Sequence, residues 1–362
     1  MRTSEIRTRP LRLTLVTLGD PNRRTGGYRY HRMMAQAAED HRAEMRFASV
    51  PALPWPARAM PAARTLHEAA GGSDAILLDS IAAAFAAPWI PRLRSPVVAV
   101  VHQPPGGLEG RRLRRAAQRR LDAIAYRSAD GVIGASESLV DDLREVGVAP
   151  ERILVVPPGC DVPVAVGPNL DLRRGRRVSV LCIANWTPPK GILELVGAFA
   201  TLPHQAATLW LVGDTHADPR YAGRVRRRIA APDLRDRVVV TGSVPVEEVG
   251  RFYRSADVFA LCSYADAYGT AWAEAIAAGL PVVGWRAGNL PRLAEHGREA
   301  LMAEPGDVAG LAFALVALVT DTRVRRGLAE GARRRAESLP TWRESADRFF
   351  AAIRELLRGQ TT

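Results

Sequence analysis

Short apolar runs alternate with segments of helical periodicity along the whole chain. In the first half, five runs predict buried β-strands: Leu11–Leu18, Ala75–Leu78, Val97–Val101, Gly131–Ile133 and Ile153–Val156. Between these runs, apolar positions recur every three or four residues and predict helices over Arg29–Ala38, Arg112–Tyr126 and Leu139–Val146. Strands and helices that alternate in this way are typical of a parallel sheet with helices on both faces.

A second series of the same kind occupies the rest of the chain. Its predicted strands are Val178–Ile183, Ala207–Val212, Val238–Val240, Val258–Leu261 and Pro281–Val283. Its predicted helices are Ile192–Leu202, Tyr221–Ala230, Val246–Ser255, Ala271–Ala278 and Ala309–Thr320. Two such series predict two Rossmann-like α/β domains, which face each other across a cleft and bind ligands at the carboxyl ends of their strands.

The segment between the two series is rich in proline, glycine and charge, which indicates a linker. After the second series, Phe349, Ile353 and Leu356 share one helical face, so we expect a terminal helix that crosses back to the first domain. The predicted divisions are residues 1–156 for the first domain, 157–177 for the linker, 178–340 for the second domain and 341–362 for the terminal helix.

The composition is that of a globular protein, with 47% hydrophobic and 24% charged residues. No apolar run reaches the roughly 18 residues of a membrane span. The basic segment Met1–Pro10 lacks the apolar core of a secretory signal. Three scattered cysteines, Cys160, Cys182 and Cys262, fit neither a disulfide framework nor a zinc site. We therefore expect a reduced, cytoplasmic protein that needs no metal.

The net charge of +12 suits an anionic partner such as a phosphorylated substrate, a lipid surface or nucleic acid. Much of this charge lies in residues 110–127, where arginines interleave with Leu113, Ala117, Leu121 and Ile124 at helical spacing. Such a helix could rest on an anionic membrane, or its small apolar stripe could pack inward and leave an ordinary solvated face. Nucleic acid is the weaker candidate, because the chain lacks the aromatic, helix-turn-helix and zinc-ligand patterns of nucleic-acid-binding domains.

The chain contains a single lysine, Lys190, among 50 basic residues. It lies between the predicted strand Val178–Ile183 and the predicted helix Ile192–Leu202. A compact ammonium group at the end of a strand is a good partner for a phosphate and cannot simply be exchanged for the planar guanidinium of arginine. Chance retention of one loop lysine is the alternative interpretation.

Two loops of the first half are further candidates. Gly26 and Gly27 precede a helix, where backbone N–H groups favour an anion. Their spacing is not that of a nicotinamide-binding fingerprint, and a plain flexible turn would have the same sequence. His102 follows the strand Val97–Val101 and precedes a Pro/Gly loop, a position from which its ring could hydrogen-bond to a ligand. A purely structural histidine is the alternative.

The strongest pattern runs from Ser263 to Val283. Asp266 leaves a strand, a glycine loop follows, and Glu274 lies about one turn into a helix. Gly269 and Thr270 can present N–H groups to a diphosphate, while the two acids accept hydrogen bonds from hydroxyl groups on either side. A nucleoside-diphosphate sugar offers this order of groups. A capped helix with a surface glutamate is the competing explanation.

These segments resemble the retaining glycosyltransferases of the GT-B fold, family 4. The loop from Ser263 is similar to their acid-x7-acid element, and the stretch Val180–Phe199 is similar to their segment with a lysine-glycine pair. The passages Gly131–Asp161 and Thr241–Val258 also match. The resemblance covers nearly the whole chain and is more specific in the C-terminal half.

The resemblance implies metal-independent transfer of a sugar from a nucleoside-diphosphate sugar to an acceptor hydroxyl. Asp266 would bind the transferred sugar, Glu274 the ribose, and Lys190 the leaving diphosphate. The donor would also contact Gly26, Gly27, Asn185, Tyr268, Gly269 and Thr270, with the base near Gly242 and Val244. His102 would contact the sugar. The acceptor is left open, and a nucleotide-sugar 2-epimerase on the same scaffold is the nearest alternative.

Two positions depart from the family pattern. Asp266 stands where a glutamate is usual, so the sugar must sit closer or a water must bridge the gap. Asn185 stands where a phosphate-binding arginine is usual. A neutral amide cannot balance a diphosphate, so Lys190 must carry more of that charge or another arginine, such as Arg286 or Arg23, must help.

Overall fold

The computed structural model describes residues 9–21, 25–51, 59–107, 112–162 and 167–359. The chain divides into two compact units. The first comprises Met1–Gly159 together with Pro340–Thr362, and the second comprises Cys160–Leu339.

The first unit contains a six-stranded parallel sheet of order β2-β1-β3-β4-β5-β6. Its strands are β1 Leu11–Leu18, β2 Ala43–Val50, β3 Ala75–Asp79, β4 Val97–Val101, β5 Gly131–Gly134 and β6 Ile153–Val155. Its helices are α1 Gly26–Ala37, α2 Ala59–Gly72, α3 Ala83–Ala86, α4 Arg112–Ser128, α5 Glu137–Glu145 and the C-terminal α13 Trp342–Arg358.

The second unit contains another six-stranded parallel sheet, of order β12-β11-β10-β7-β8-β9. Its strands are β7 Val178–Ile183, β8 Ala207–Val212, β9 Val238–Gly242, β10 Val258–Leu261, β11 Val282–Trp285 and β12 Ala300–Ala303. Its helices are α6 Ile192–Ala200, α7 Pro219–Ile229, α8 Val246–Ser255, α9 Thr270–Ala277, α10 Leu290–Leu293, α11 Val308–Thr320 and α12 Thr322–Ala336.

The central strands are buried along their length, as expected when helices cover both faces of a parallel sheet. Every residue of β3, β4, β10 and β11 is buried. The prediction of two Rossmann-like α/β units is therefore confirmed. Each sheet also has a point where the strand order reverses, between β1 and β3 in the first unit and between β7 and β10 in the second. Crevices for ligands open at such points.

Strands β2 and β12 and helices α2, α10 and α12 were not predicted from the sequence. Strand β2 is an edge strand whose charged residues interrupt its apolar pattern, since only its end residues, Ala43 and Val50, are buried. Strand β12 has only four residues. Helix α12 carries many arginines and buries only Leu328, Gly331 and Ala332, so its apolar periodicity is weak.

The tail forms helix α13 and packs on the first unit, as predicted. Its N-terminus carries a capping box, in which Thr341 and Glu344 satisfy each other's backbone N–H groups. Its apolar face buries Phe349 and Ile353 in the core that contains Leu13. Across the described residues, no helix is both long and apolar enough to span a bilayer.

The apolar stripe of α4 does not pack inward. Leu113 is 85% exposed and Ile124 is 39% exposed, and Ala117 is also exposed. The helix buries Ala125 and Tyr126 in its second half. The alternative that this stripe covers the protein core is therefore wrong for these residues. Gly110 and Arg111 lie outside the described residues.

We predict that Phe349→Ala lowers the free energy of unfolding by about 3–5 kcal/mol, because it leaves a cavity in a fully buried site. Urea denaturation of the full chain measures the change. Arg348→Ala is the matched control, because Arg348 is the adjacent residue on the exposed face of α13 and should shift stability by less than about 0.5 kcal/mol. Equal effects of the two substitutions would contradict the assigned packing of α13.

Candidate active site

The loops after β7 and β10 leave the sheet of the second unit at its reversal point. The first contains a short 3-10 helix, Pro188–Lys190, before α6 begins. The carbonyl oxygen of Pro189 accepts two hydrogen bonds from the second loop, one from the backbone N–H of Tyr264 at 2.8 Å and one from the hydroxyl of Ser263 at 3.2 Å. These bonds fix the two loops against each other at the carboxyl edge of the sheet.

The predicted cation and one predicted acid meet between these loops. The Nζ atom of Lys190 donates to Oδ2 of Asp266 over 2.7 Å, and the two side chains are 26% and 19% exposed. An ammonium group has three N–H donors. Among the described residues, Asp266 is the only hydrogen-bond acceptor of this group, so two donors can serve an anionic ligand.

Gly191 explains how the lysine loop can approach β10 so closely. Its φ of 61° lies in the left-handed region, and a Cβ atom there would come within 2.1 Å of the carbonyl oxygen of Cys262. Only glycine tolerates both conditions at little cost. The chain can therefore turn from Lys190 directly into α6.

Helix α9 begins beside Asp266. Gly269 caps it with a φ of 80°, and Thr270 is its first residue. The first N–H groups of a helix have no partner within the helix and carry a partial positive charge. Tyr268, just before the cap, is buried, and its hydroxyl group lies 2.9 Å from the Sγ atom of Cys160. The buried tyrosine side chain thus anchors the loop before α9 to Cys160.

Glu274 is not a surface residue, which argues against the plain capped helix considered above. Its side chain is 4% exposed, and its Oε2 atom accepts a hydrogen bond from the hydroxyl of Tyr253 on α8 at 3.0 Å. Sequence reasoning did not identify Tyr253, because an aromatic residue on an amphipathic helix gives no functional signal.

Asn185 has a backbone-bracing role in this structure. Its Oδ1 atom accepts the N–H of Asp214 at 3.1 Å, which ties the loop after β7 to the loop after β8. Nearby, the guanidinium of Arg226 lies 5.7 Å from the ring centroid of Trp186 and donates to Thr215. Arg226 is a further cation in this region, and no sequence pattern distinguishes it from the other arginines of α7.

Arg286 and Arg23 were the two arginines considered as replacements for the phosphate-binding arginine. Arg286 contacts Glu304 at 3.1 Å, so its charge is already balanced. Arg23 lies outside the described residues. Gly242 is the last residue of β9, on the far side of β8 from β7, and Val244 follows that strand. Gly242 has a φ of 72°, and its carbonyl oxygen accepts the N–H of Gly213.

In the first unit, the structure brings Gly27 and His102 together. Gly26 is the first residue of α1, and a Cβ atom on Gly27 would lie 3.6 Å from the imidazole of His102. His102 follows β4, and its ring contacts Tyr30 and His31 with centroids 4.7 Å apart in both cases. Burial, followed by the neighbouring His31, lowers the pKa of His102 to about 3, although Asp79 opposes the shift. The ring is therefore neutral at physiological pH.

The predicted residues thus form two groups. Gly26, Gly27 and His102 belong to the first unit, and the remaining candidates belong to the second unit. Within the described ranges, no three His, Cys, Asp or Glu residues are grouped so that they could hold a metal ion. The expectation that the protein needs no metal stays a prediction.

Comparisons with known families match both halves of the chain. Residues 4–159 match the glycosyl transferase 4-like domain, and residues 177–321 match the glycosyl transferases of group 1. Mannosylfructose-phosphate synthase of Agrobacterium fabrum is 30% identical over 246 residues, which are 64% of this chain and 54% of the relative. The chain spans about half the length of the curated relatives it matches.

Solved structures support the fold. Sucrose-phosphate synthase from Thermosynechococcus elongatus superposes with a TM-score of 0.82 at 20% identity, over 96% of this chain and all of that chain. The HepE protein of Anabaena, solved with UDP-glucose, gives a TM-score of 0.78 at 20% identity, over 94% of this chain and 99% of that chain. At this identity the likeness establishes the architecture.

We predict that Gly191→Ala costs at least about 2 kcal/mol more in unfolding free energy than Gly297→Ala. Both glycines have positive φ, but a Cβ atom at Gly297 meets nothing within 4 Å, whereas one at Gly191 strikes the backbone of Cys262. The control therefore isolates the clash from the backbone strain. Urea denaturation measures both variants, and equal costs would refute the close approach of the two loops.

Proposed function

We propose that this chain, which belongs to the glycosyl transferases of group 1, moves a sugar from a nucleoside-diphosphate sugar to an acceptor hydroxyl and retains the anomeric configuration. The observation that carries the proposal is the Lys190–Asp266 contact at the reversal point of the second sheet, next to the N-terminus of α9. A cation, two acids and a helix N-terminus lie at or next to this point, where open α/β sheets bind ligands.

The barrier to transfer would fall mainly because the departing diphosphate is stabilised electrostatically. Two N–H donors of Lys190 remain for phosphate oxygens, and the first amides of α9, from Gly269 and Thr270, supply uncharged donors. Asn185 is neutral and already bonded to Asp214, so Lys190 would provide most of the charge. Arg226, whose guanidinium lies over the ring of Trp186, is a candidate supplementary cation.

The acids would recognise hydroxyl groups. Asp266 would exchange part of its contact with Lys190 for hydrogen bonds from hydroxyls of the transferred sugar. Glu274 would accept hydrogen bonds from the ribose hydroxyls, while its Oε2 atom keeps the hydrogen bond from the hydroxyl of Tyr253. Gly26, Gly27 and Tyr268 would line the donor, and the base would lie near Gly242 and Val244. His102, neutral at physiological pH, would exchange a hydrogen bond with the sugar rather than a charge.

Epimerisation of the donor sugar is less well supported. Both family models that match the chain describe glycosyl transferases, and the curated relative described above carries the name of a synthase. An assay without any acceptor separates the two reactions, since an epimerase would form a new nucleotide sugar and a transferase would not. The base and sugar of the donor can be found by a thermal-shift screen of UDP-, GDP-, ADP- and TDP-sugars, because a ligand of the folded state raises the melting midpoint.

We predict that Lys190→Ala lowers kcat by about a hundredfold or more, because transition-state charge on the diphosphate loses its ammonium partner. Lys190→Arg should recover only part of this loss, since the planar fork does not fit a site built for a point charge. Steady-state kinetics with the donor from the screen measures both. Arg220→Ala, an exposed cation on α7, is the matched control, and a near-normal kcat for Lys190→Ala would remove the lysine from the mechanism.

We further propose that α4 binds an anionic membrane and brings the enzyme to a lipid-linked acceptor. Every residue from Arg112 through Ala117 is exposed, and Leu113, at 85% exposure, lies between Arg112 and Arg114 in the sequence. Exposed basic and apolar residues on one helix are what an interfacial helix needs. No hydrogen bond or ion pair holds Arg112, Arg114 or Arg115 to a described residue.

We predict that neutralising Arg112, Arg114 and Arg115 with glutamine weakens sedimentation with phosphatidylglycerol-containing vesicles by at least about tenfold at low salt, since each basic residue near such a surface contributes about 1 kcal/mol. Arg326, Arg333 and Arg334 of α12 are exposed, so their replacement by glutamine removes the same charge elsewhere. Equal losses in both triple variants would show a general charge effect and refute a specific role for α4.

A further inference from the structure

A fully buried carboxylate lies behind His102. Asp79 ends β3 and is 3% exposed. Its Oδ2 atom accepts the hydroxyl of Thr17 at 2.6 Å, and its Oδ1 atom accepts the hydroxyl of Ser80 and the N–H of Ile81, both at 3.3 Å. A buried charge without such partners would be strongly destabilising. The family comparison and the expected chemistry assign no role to this residue.

His31 supplies the counter-charge or dipole for this carboxylate. It lies on α1 and is completely buried, with its Nε2 atom 3.2 Å from Oδ2 of Asp79, off the line of an ideal hydrogen bond. Burial would raise the pKa of Asp79, but the adjacent His31 ring and the hydrogen bond from Thr17 oppose this effect, and the pKa is lowered to about 2. Asp79 is therefore ionised at every physiological pH.

Two paths connect this pair to His102. Through the backbone, the N–H of His102 donates to the hydroxyl of Ser80 at 3.3 Å, and that hydroxyl donates to Asp79. Through the side chains, the His31 ring meets the His102 ring edge-on at an interplanar angle of 76°. Tyr30 and Gly27 enclose the remaining sides. The imidazole thus has little freedom to rotate.

The Nε2 atom of His102 is buried and has no hydrogen-bond partner among the described residues. We propose that Asp79 and His31 are positioning residues: together they hold the neutral His102 ring in one orientation, so that its unpartnered Nε2 atom can exchange a hydrogen bond with a sugar hydroxyl. The inference rests on the proposed glycosyl transfer for its catalytic consequence. Its structural part, the coupling of Asp79 to the His102 ring, does not depend on that function.

Asp79→Asn tests the catalytic part, because it keeps the shape of the side chain and removes its charge. We expect kcat to fall by about tenfold or more, with KM for the donor changed less than twofold, since misplaced groups lose transition-state contacts before ground-state binding. His102→Ala should lower kcat at least as far. The double variant should be no slower than His102→Ala alone, because residues that act through one group are not additive.

Asp74→Asn is the matched control. Asp74 precedes the same strand at its opposite end and accepts the N–H of Arg12 at 2.9 Å. The substitution Asp74→Asn should leave kcat unchanged. Multiplicative losses for Asp79→Asn and His102→Ala would overturn the proposal, because a general structural effect of Asp79 would persist when His102 is absent.

Nitrogen-15 NMR of histidine-labelled full-length protein tests the coupling without any substrate. His102→Gln identifies the ring signals by their loss. In the parent protein, we expect His102 ring signals that do not titrate between about pH 5 and 8, and in Asp79→Asn we expect the chemical shifts of these ring signals to change. An unchanged His102 spectrum would overturn the inference. If no donor is ever turned over while the spectra change as expected, the proposed function fails and the positioning role stands.

Discussion

The contact between Lys190 and Asp266 is the interaction on which the candidate site depends. It joins two loops that leave adjacent strands in diverging directions, where an open α/β sheet has its crevice. A half-buried ammonium group needs a nearby negative charge, and a half-buried carboxylate needs a donor. Each therefore holds the other in place. The carbonyl oxygen of Pro189 and the missing side chain of Gly191 bring the loops close enough for this contact.

The two departures from the family pattern have a common structural setting. Asp266 is one methylene shorter than the usual glutamate, and its carboxylate nevertheless reaches Lys190 at 2.7 Å. Asn185 replaces a cation and instead bonds the backbone of Asp214. Lys190 is therefore the cation between the loops after β7 and β10, and Arg226 lies over the ring of Trp186.

The first unit also contains a carboxylate away from solvent, but it stabilises this carboxylate without a lysine or arginine from the described residues. Its carboxylate, Asp79, is fully buried and satisfied by hydroxyl, backbone and imidazole donors, and its candidate ligand-binding group, His102, is uncharged. A neutral ring beside a buried anion can exchange hydrogen bonds without bringing net charge to the ligand. Lys190 of the second unit carries a charge, whereas the His102 ring of the first unit is neutral.

The sequence by itself determined the two parallel sheets and most strand limits, because buried parallel strands have continuous apolar runs. It also identified Lys190 and Asp266 as candidates, because the chain has a single lysine and Asp266 belongs to a recognisable loop pattern. It could not supply β2 or α12, whose stability comes from neighbours rather than from their own periodicity. Only the tertiary structure revealed that Glu274 is buried against Tyr253, that the stripe of α4 faces outward, and that Asp79 and His31 lie behind His102. Those contacts join residues 21 to 71 positions apart, and their geometry is fixed by the packing of whole helices on the sheet, which no local pattern encodes.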